Sequence, residues 1–133
     1  MLIEIQYDKI ITGVEFMLIT IFSSMIIIID QITKYLIRTN LALFEKIKII
    51  DDYFYFTFVK NRGAAFGIMQ GKRIFFIAIT LFFLVFIVYL YHKELPQNLL
   101  SKTAVSFLIG GSIANLIDRV NLHYVTDFIA VDI

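Results

Sequence analysis

An uninterrupted apolar run, IFFIAITLFFLVFIVYLY from Ile74 to Tyr91, is the feature that most restricts how this chain can fold. It contains no charged residue, and its length is close to the ~20 apolar residues with which a helix crosses a hydrocarbon core of ~30 Å. Of the 133 residues, 59% are hydrophobic, above the roughly 45–50% typical of soluble domains. The mean hydropathy is +0.83. These values predict an integral membrane protein with a single domain, residues 1–133.

Two further stretches are predicted to span the membrane. Phe16 to Ile37 is long enough, and its only charged residues, Asp30 and Lys34, are four positions apart and so share one helical face. Leu99 to Ile117 is weaker because a Ser-Lys-Thr triplet interrupts its start, and we expect it to span from about Thr103. It also carries small residues that let membrane helices approach closely, namely Gly110, Gly111, Ser112 and Ala114.

The segment between the first two predicted helices has a different character. Lys46 to Val59 is rich in β-branched and aromatic residues and alternates in YFYFTFV, which is typical of a strand or a short hairpin. Backbone outside a helix cannot face lipid with its hydrogen bonds unmade, so this segment is expected at the interface or in water. The predicted fold is a mainly α membrane protein with three transmembrane helices and a short β-hairpin between the first and second.

Charge and composition argue against several classes of function. The formal net charge of +1 gives no sign of a nucleic-acid partner. Without cysteines the chain forms neither disulfides nor thiolate metal sites, and its two histidines, His92 and His123, are isolated in the sequence. We therefore expect no nucleic acid, no metal centre and no organic cofactor.

Two groups of polar residues in the first half of the chain are candidates for a functional site. Asp30 and Lys34 either neutralise each other near a helix end or order the loops around a site. An unpaired aspartate in hydrocarbon costs roughly 2.5–3.5 kcal/mol on insertion scales, so we expect the pair in both cases. Asn61 and Gly63 belong to the string NRGAAFG, which as a plain pattern predicts a turn leading into a helix.

A third group of polar residues lies at the end of the last predicted helix. Asn115 and Asp118 are three residues apart and project from the same side of the helix. Arg119 can hold a carboxylate bidentately and fix the loop that follows, and Asp127 comes next in VTDFI. A helix cap with a solvated loop acid, a proton or ion pathway and a functional carboxylate all remain open for this pattern.

Four strings, in this order along the chain, resemble the lipoprotein signal peptidase family, also called signal peptidase II. They are DQITK at Asp30 to Lys34, NRGAAFG at Asn61 to Gly67, GGSIANLIDR at Gly110 to Arg119 and VTDFI at Val125 to Ile129. The resemblance implies an aspartic endopeptidase of the bacterial cytoplasmic (inner) membrane with four spanning helices. Such an enzyme removes the signal peptide ahead of a diacylglyceryl-modified cysteine of a prolipoprotein.

The resemblance also implies partners and an orientation. The expected partners are diacylglyceryl-modified prolipoproteins and membrane lipids, and we expect a monomer. The loop between the first two helices is expected on the extracytoplasmic side as a β-cradle, together with the active site. The Lys and Arg residues of that loop, counted alone, favour the cytoplasm instead.

The same resemblance also implies roles for individual residues. Asp127 matches the first catalytic aspartate of the family. The other matching positions are expected to line or brace the site: Asp30, Lys34, Asn61, Gly63, Asn115, Asp118 and Arg119. The family's second catalytic aspartate lies in a Phe-Asn-x-Ala-Asp string that opens a fourth helix. The sequence has no such string, and Asp132 in AVDI does not match it.

This difference leaves three hypotheses for the function. Because an aspartic protease needs two carboxylates that share one proton, we expect a signal peptidase II whose sequence is C-terminally incomplete or truncated, with the fourth helix missing. The second hypothesis is a non-catalytic membrane protein that binds prolipoproteins. The third, less favoured, is a small proton- or ion-translocating subunit.

Overall fold

Three long helices and a small sheet form the part of the chain that the structure describes. The structure is a computed structural model, and it describes residues 2–51, 53–63 and 69–131. Its elements are α1 (Leu2–Asn40), β1 (Lys46–Ile50), β2 (Phe54–Asn61), α2 (Arg73–Lys93), α3 (Leu99–Asn121) and β3 (Val125–Val131). Within these ranges three helices are long and apolar enough to cross a membrane. The predicted class of fold is therefore confirmed.

The first helix is longer than the sequence analysis predicts. α1 begins at Leu2 instead of Phe16 and contains 39 residues. At 1.5 Å per residue it extends about 58 Å, which exceeds the ~30 Å hydrocarbon core. No proline interrupts it, and a single glycine inside a helix costs only about 1 kcal/mol. The charges near its start therefore mark the end of the apolar stretch and not the end of the helix.

Hydroxyl groups on the exposed surface of α1 are paired within the helix. The hydroxyls of Thr20, Ser24 and Thr39 each donate to the carbonyl oxygen four residues earlier, at 2.8–2.9 Å. A polar group that faces hydrocarbon without a partner is costly. These local bonds make the hydroxyls compatible with a surface in contact with lipid.

The third helix runs through the polar triplet that was expected to weaken it. The Asn98 side-chain oxygen accepts a hydrogen bond from the backbone N–H of Ser101 at 2.9 Å, so Asn98 caps the helix. Lys102 forms an ion pair with Glu15 of α1 at 2.9 Å. These residues therefore start the helix and attach it to α1, and α3 is continuous from Leu99.

Small residues bring α1 and α3 into close contact, as the sequence predicts. A Cβ atom on Gly110 would lie 2.8 Å from Cγ2 of Ile26 and 3.0 Å from the carbonyl oxygen of Ser23. The Ser23 hydroxyl also donates to the backbone oxygen of Ser106 at 3.3 Å. Because membrane helices associate through close packing and such polar contacts, this crossing fixes α3 against α1.

The second helix contributes to a small apolar core near the turn between α2 and α3. Ile87 and Tyr91 of α2 pack with Ile19 of α1 and Val105 of α3. Most of the other large apolar side chains of α2 are exposed, as in Phe82 at 73%. Lipid tails are as apolar as these side chains, so this outward surface suits a bilayer.

The strands form one antiparallel sheet in the order β1-β2-β3. The hairpin of β1 and β2 begins where predicted and ends two residues beyond the predicted segment, at Asn61, with Lys46 opposite Thr57. The third strand corrects the prediction that the residues around Asp127 form a loop. In the structure Asp127 lies in β3 opposite Val59 of β2. This strand pairs with residues far away in the sequence, and local alternation does not reveal such a partner.

The sheet packs against the end of α1. Ile37 of α1 and Leu41, which follows the helix, form a buried cluster with Phe58 of β2, and Tyr124 and Phe128 pack against it. β3 follows α3 after a short turn. The sheet therefore holds β3 beside the ends of α1 and α3, where the polar residues of both helices lie.

Candidate active site

Asp127 lies in β3 with a half-buried side chain, directly after the buried residues Val125 and Thr126. Its Oδ2 atom accepts a hydrogen bond from Nδ2 of Asn61 at 2.9 Å. The backbone N–H of Gly63 donates to Oδ1 of the same asparagine at 2.9 Å. Since that bond occupies the amide oxygen, the amide nitrogen of Asn61 is turned toward the carboxylate. Asn61 and Gly63 thus orient Asp127 from the end of β2.

Lys34 is the centre of a buried polar cluster between α1 and α3. Its Nζ lies 2.8 Å from Oδ2 of Asp30, 2.8 Å from Oδ1 of Asn115 and 3.4 Å from Oδ2 of Asp118. An ammonium group has three N–H donors, and here three oxygens surround it. The side chain is only 2% exposed. The expected pair of Asp30 and Lys34 is therefore present as part of a larger cluster.

Asp118 connects this cluster to the strand that carries Asp127. Its side chain is 1% exposed, and its Oδ1 accepts from Nε2 of Gln31 at 3.1 Å. Its Oδ2 accepts from the backbone N–H of Thr126 at 3.0 Å. Arg38 lies 4.0 Å from Oδ1. A buried carboxylate is costly unless hydrogen-bonded and paired, and Asp118 is both.

Arg119 contacts the second helix. From its chemistry alone, its guanidinium can hold a carboxylate bidentately. In the structure the guanidinium lies over the ring of Phe76, 5.4 Å from the centroid. Its backbone oxygen accepts from Nε of Arg73 at 2.7 Å. α2 supplies both of these partners, and the local sequence indicates neither contact.

An open cleft of about 250 Å³ lies between the helix ends and β3. The residues that line it are Asp30, Lys34, Asn115 and Val125 to Ile129. The structure therefore brings Asp127 to the same cleft as three of the polar residues expected from sequence. Asp118 lies buried behind them. Asp132 and the rest of the NRGAAFG string, residues 64–67, fall outside the described residues.

Sequence reasoning missed three polar residues of this region, Gln31, Arg38 and Thr126. Nε2 of Gln31 also donates to the backbone oxygen of Ala114 at 3.1 Å. The sequence did indicate Arg38, because it follows Lys34 by one helical turn and therefore lies on the same face of the helix. Thr126 precedes Asp127, so its proximity was evident, but its contact with Arg38 depends on tertiary structure.

This arrangement can support acid–base chemistry. A carboxylate in an open cleft, oriented by an amide donor, can accept or deliver a proton to a molecule bound beside it. The neighbouring cluster holds two formal positive charges, on Lys34 and Arg38, against two aspartates, Asp30 and Asp118.

A profile of the family described as signal peptidase (SPase) II matches residues 22–133. The chain belongs to the signal peptidase II family. A lipoprotein signal peptidase of Caldanaerobacter subterraneus subsp. tengcongensis is 44% identical over 104 residues, which cover 78% of this chain and 71% of the relative. One of Clostridium novyi is 39% identical over 105 residues, covering 79% and 71%.

A solved structure of a bacterial membrane enzyme is also similar to this chain. It superposes with a TM-score of 0.78 at 36% sequence identity, covering 86% of this chain and 70% of that structure. Family membership and the span-capable helices identify the chain as a membrane protein of a protease family whose members act on lipoproteins.

Proposed function

We propose that the chain is an aspartic endopeptidase that removes signal peptides from diacylglyceryl-modified prolipoproteins in the bacterial cytoplasmic membrane. The observation that carries this proposal is the half-buried Asp127 carboxylate, held at 2.9 Å by the amide of Asn61 in an open cleft. Membership of the signal peptidase II family supports the substrate class.

The proposed chemistry uses Asp127 as one of two carboxylates. In an aspartic protease one carboxylate activates a water molecule while the protonated partner polarises the scissile carbonyl. The hydrogen bond from Asn61 orients Asp127 for this task. Lys34 and Asn115 line the cleft with Asp127, and Asp118 lies buried behind them. Asp30 also lines the cleft, but it already pairs with Lys34 at 2.8 Å, so we do not assign it as the second carboxylate.

Cleavage by the purified protein tests the proposal. The chain, extended by the Phe-Asn-x-Ala-Asp helix of its family, and the Asp127→Asn variant of that extended chain are placed in vesicles with a lipidated precursor, in the absence of other peptidases. We expect cleavage by the extended chain, which holds both carboxylates, and none by its variant, because asparagine cannot exchange the proton. Asp51→Asn is the matched control, since Asp51 is 86% exposed and outside the cleft. Normal cleavage by the Asp127→Asn variant would refute the role of Asp127.

The ion pair of Asp30 with Lys34 favours a second candidate, a non-catalytic protein that binds prolipoproteins. With that acid engaged, the cleft would recognise the precursor without hydrolysing it. The same vesicles distinguish the two candidates. Retention of the lipidated precursor by the unchanged chain, with no shortened product from the extended chain, would support binding and reject the endopeptidase.

We also propose that the sheet and the cleft lie on the extracytoplasmic side of a monomer surrounded by membrane lipids. The chain has no cysteine, so a single introduced cysteine reports one position. In intact cells, a membrane-impermeant maleimide should label Asp51→Cys and leave Gln97→Cys, in the turn between α2 and α3, unlabelled. The reverse pattern would overturn the orientation.

A further inference from the structure

Thr126, the residue before Asp127, is held from three directions. Its side chain is 1% exposed. Its backbone N–H donates to Oδ2 of Asp118 at 3.0 Å, and its hydroxyl accepts from Nη1 of Arg38 at 3.0 Å. Lys60 lies opposite it in the sheet. Because successive side chains of a strand point to opposite faces, the way Thr126 is held sets the direction in which Asp127 points.

Arg38 joins three elements through one guanidinium. It lies in the last turn of α1, with Nη1 3.0 Å from the Thr126 hydroxyl and 4.0 Å from Oδ1 of Asp118. The strand, the end of α1 and the end of α3 therefore meet at this side chain, which is 19% exposed. Charge-assisted hydrogen bonds of this kind are directional as well as strong.

Packing alone does not require a hydroxyl at position 126 or its hydrogen bond to Arg38. A valine has nearly the shape of a threonine, and it would occupy the buried position without the desolvation cost of a hydroxyl. The bond from the Thr126 backbone to Asp118 would persist with any side chain at that position. The Thr126 hydroxyl therefore adds one specific restraint, the link to Arg38, and that restraint acts on the residue next to Asp127.

We propose that Arg38 and Thr126 are a positioning pair that sets the place of the Asp127 carboxylate in the cleft. Neither touches the reacting atoms in this arrangement; each acts through β3. The inference rests on the proposed function, because it concerns the carboxylate to which that function is assigned. A displacement of about 1 Å in a catalytic group can lower the rate on the order of a hundredfold.

Substitutions that remove or keep the hydroxyl test the pair. Thr126→Val removes the hydroxyl and keeps the branched shape, whereas Thr126→Ser keeps the hydroxyl. Arg38→Met removes the donor and leaves β3 unchanged. Thr20→Val is the control for the same chemical change on the exposed surface of α1, where the hydroxyl bonds only to Phe16 of its own helix.

One measurement does not depend on cleavage: the 13C chemical shift of the Asp127 carboxyl carbon. The full chain is labelled with 13C at its aspartates, and the Asp127 signal is assigned as the one that the Asp127→Asn variant lacks. We expect Thr126→Val and Arg38→Met each to move this signal, and the double variant to move it no further than Arg38→Met alone, because the contact that Thr126→Val removes is one that Arg38→Met also removes. Thr126→Ser should restore the unchanged signal, and Thr20→Val should not alter it.

The proposal is overturned if the signal keeps its position in folded Thr126→Val protein. Should that variant fail to fold, Arg38→Met decides in the same way. Where the chain cleaves a lipidated precursor, Thr126→Val should lower kcat on the order of tenfold to a hundredfold with little change in KM. If no form cleaves but the Asp127 signal still responds, the proposed function fails and the positioning role stands.

Discussion

The two ends of the helix bundle both join α1 to α3 with an ion pair, yet they differ in how the charges are satisfied. At the sheet end, Lys34 is 2% exposed and has three oxygen partners from both helices. At the turn end, near the α2–α3 connection, Lys102 pairs with Glu15 at 2.9 Å, and both side chains are about 15% exposed.

The two ends also differ in whether their buried polar groups have hydrogen-bond partners. The buried carboxylate of Asp118 at the sheet end has donors on both oxygens. At the turn end, the Tyr91 hydroxyl is buried without a hydrogen-bond partner among the described residues. The comparison indicates that the sheet end is a connected network that fixes geometry, while the turn end is an apolar core beside the ion pair of Lys102 with Glu15.

The largest expected effect comes from Lys34→Met. This change leaves Asp30 and Asp118 without their shared cation, and breaking a buried pair by removing one partner costs about 3–5 kcal/mol. We expect the free energy of unfolding in detergent, measured by denaturant titration, to fall by about that amount. A loss below 1 kcal/mol would show that the cluster is not the network described above.

The packing between the two ends is tested by Gly110→Ala. Its new Cβ would lie 2.8 Å from Ile26, and overpacking of this kind typically costs about 1–3 kcal/mol. Gly111→Ala is the matched control, because nothing lies within 4 Å of a Cβ there and alanine favours helix over glycine by about 1 kcal/mol. Equal effects of both variants on thermal unfolding would contradict the close crossing of α1 and α3.

A smaller effect is expected from Lys102→Met at the turn end. The pair with Glu15 is partly exposed, and ion pairs of that kind contribute about 1 kcal/mol or less. The free energy of unfolding should fall by no more than this. If Lys102→Met were as damaging as Lys34→Met, the contrast between the two ends would not hold.

The smallest effect, and one of opposite sign, is expected from Tyr91→Phe. Removing a buried hydroxyl that has no partner loses no hydrogen bond and removes a desolvation cost, so the change is neutral or stabilising. The free energy of unfolding should therefore stay level or rise by up to about 1 kcal/mol. A clear loss would reveal a partner for this hydroxyl and make the turn end more like the sheet end.

The sequence predicted most of the local structure. The apolar run from Ile74 to Tyr91 lies entirely within α2, and the predicted strand segment contains β1 and most of β2. The pair of Asp30 and Lys34 followed from a spacing of four residues and is present at 2.8 Å. These features depend on neighbours one helical turn or one hairpin away, which periodicity can reveal.

Contacts between distant parts of the chain were not predictable in the same way. β3 exists because β2 offers it an edge, and the Arg119 guanidinium lies over Phe76 because α2 passes beside α3. The link between Arg38 and Thr126 joins residues that are 88 positions apart in the chain. No local pattern in the sequence indicates such partners.

The amino-acid order alone determined that this chain is a membrane protein, because its long apolar runs have no stable place in water. Its ordered polar strings also indicated the family. Only the tertiary structure decided how the acids are used. It surrounds Lys34 and Asp118 with partners and leaves Asp127 half-buried in an open cleft, since pairing and exposure depend on which elements the fold brings together.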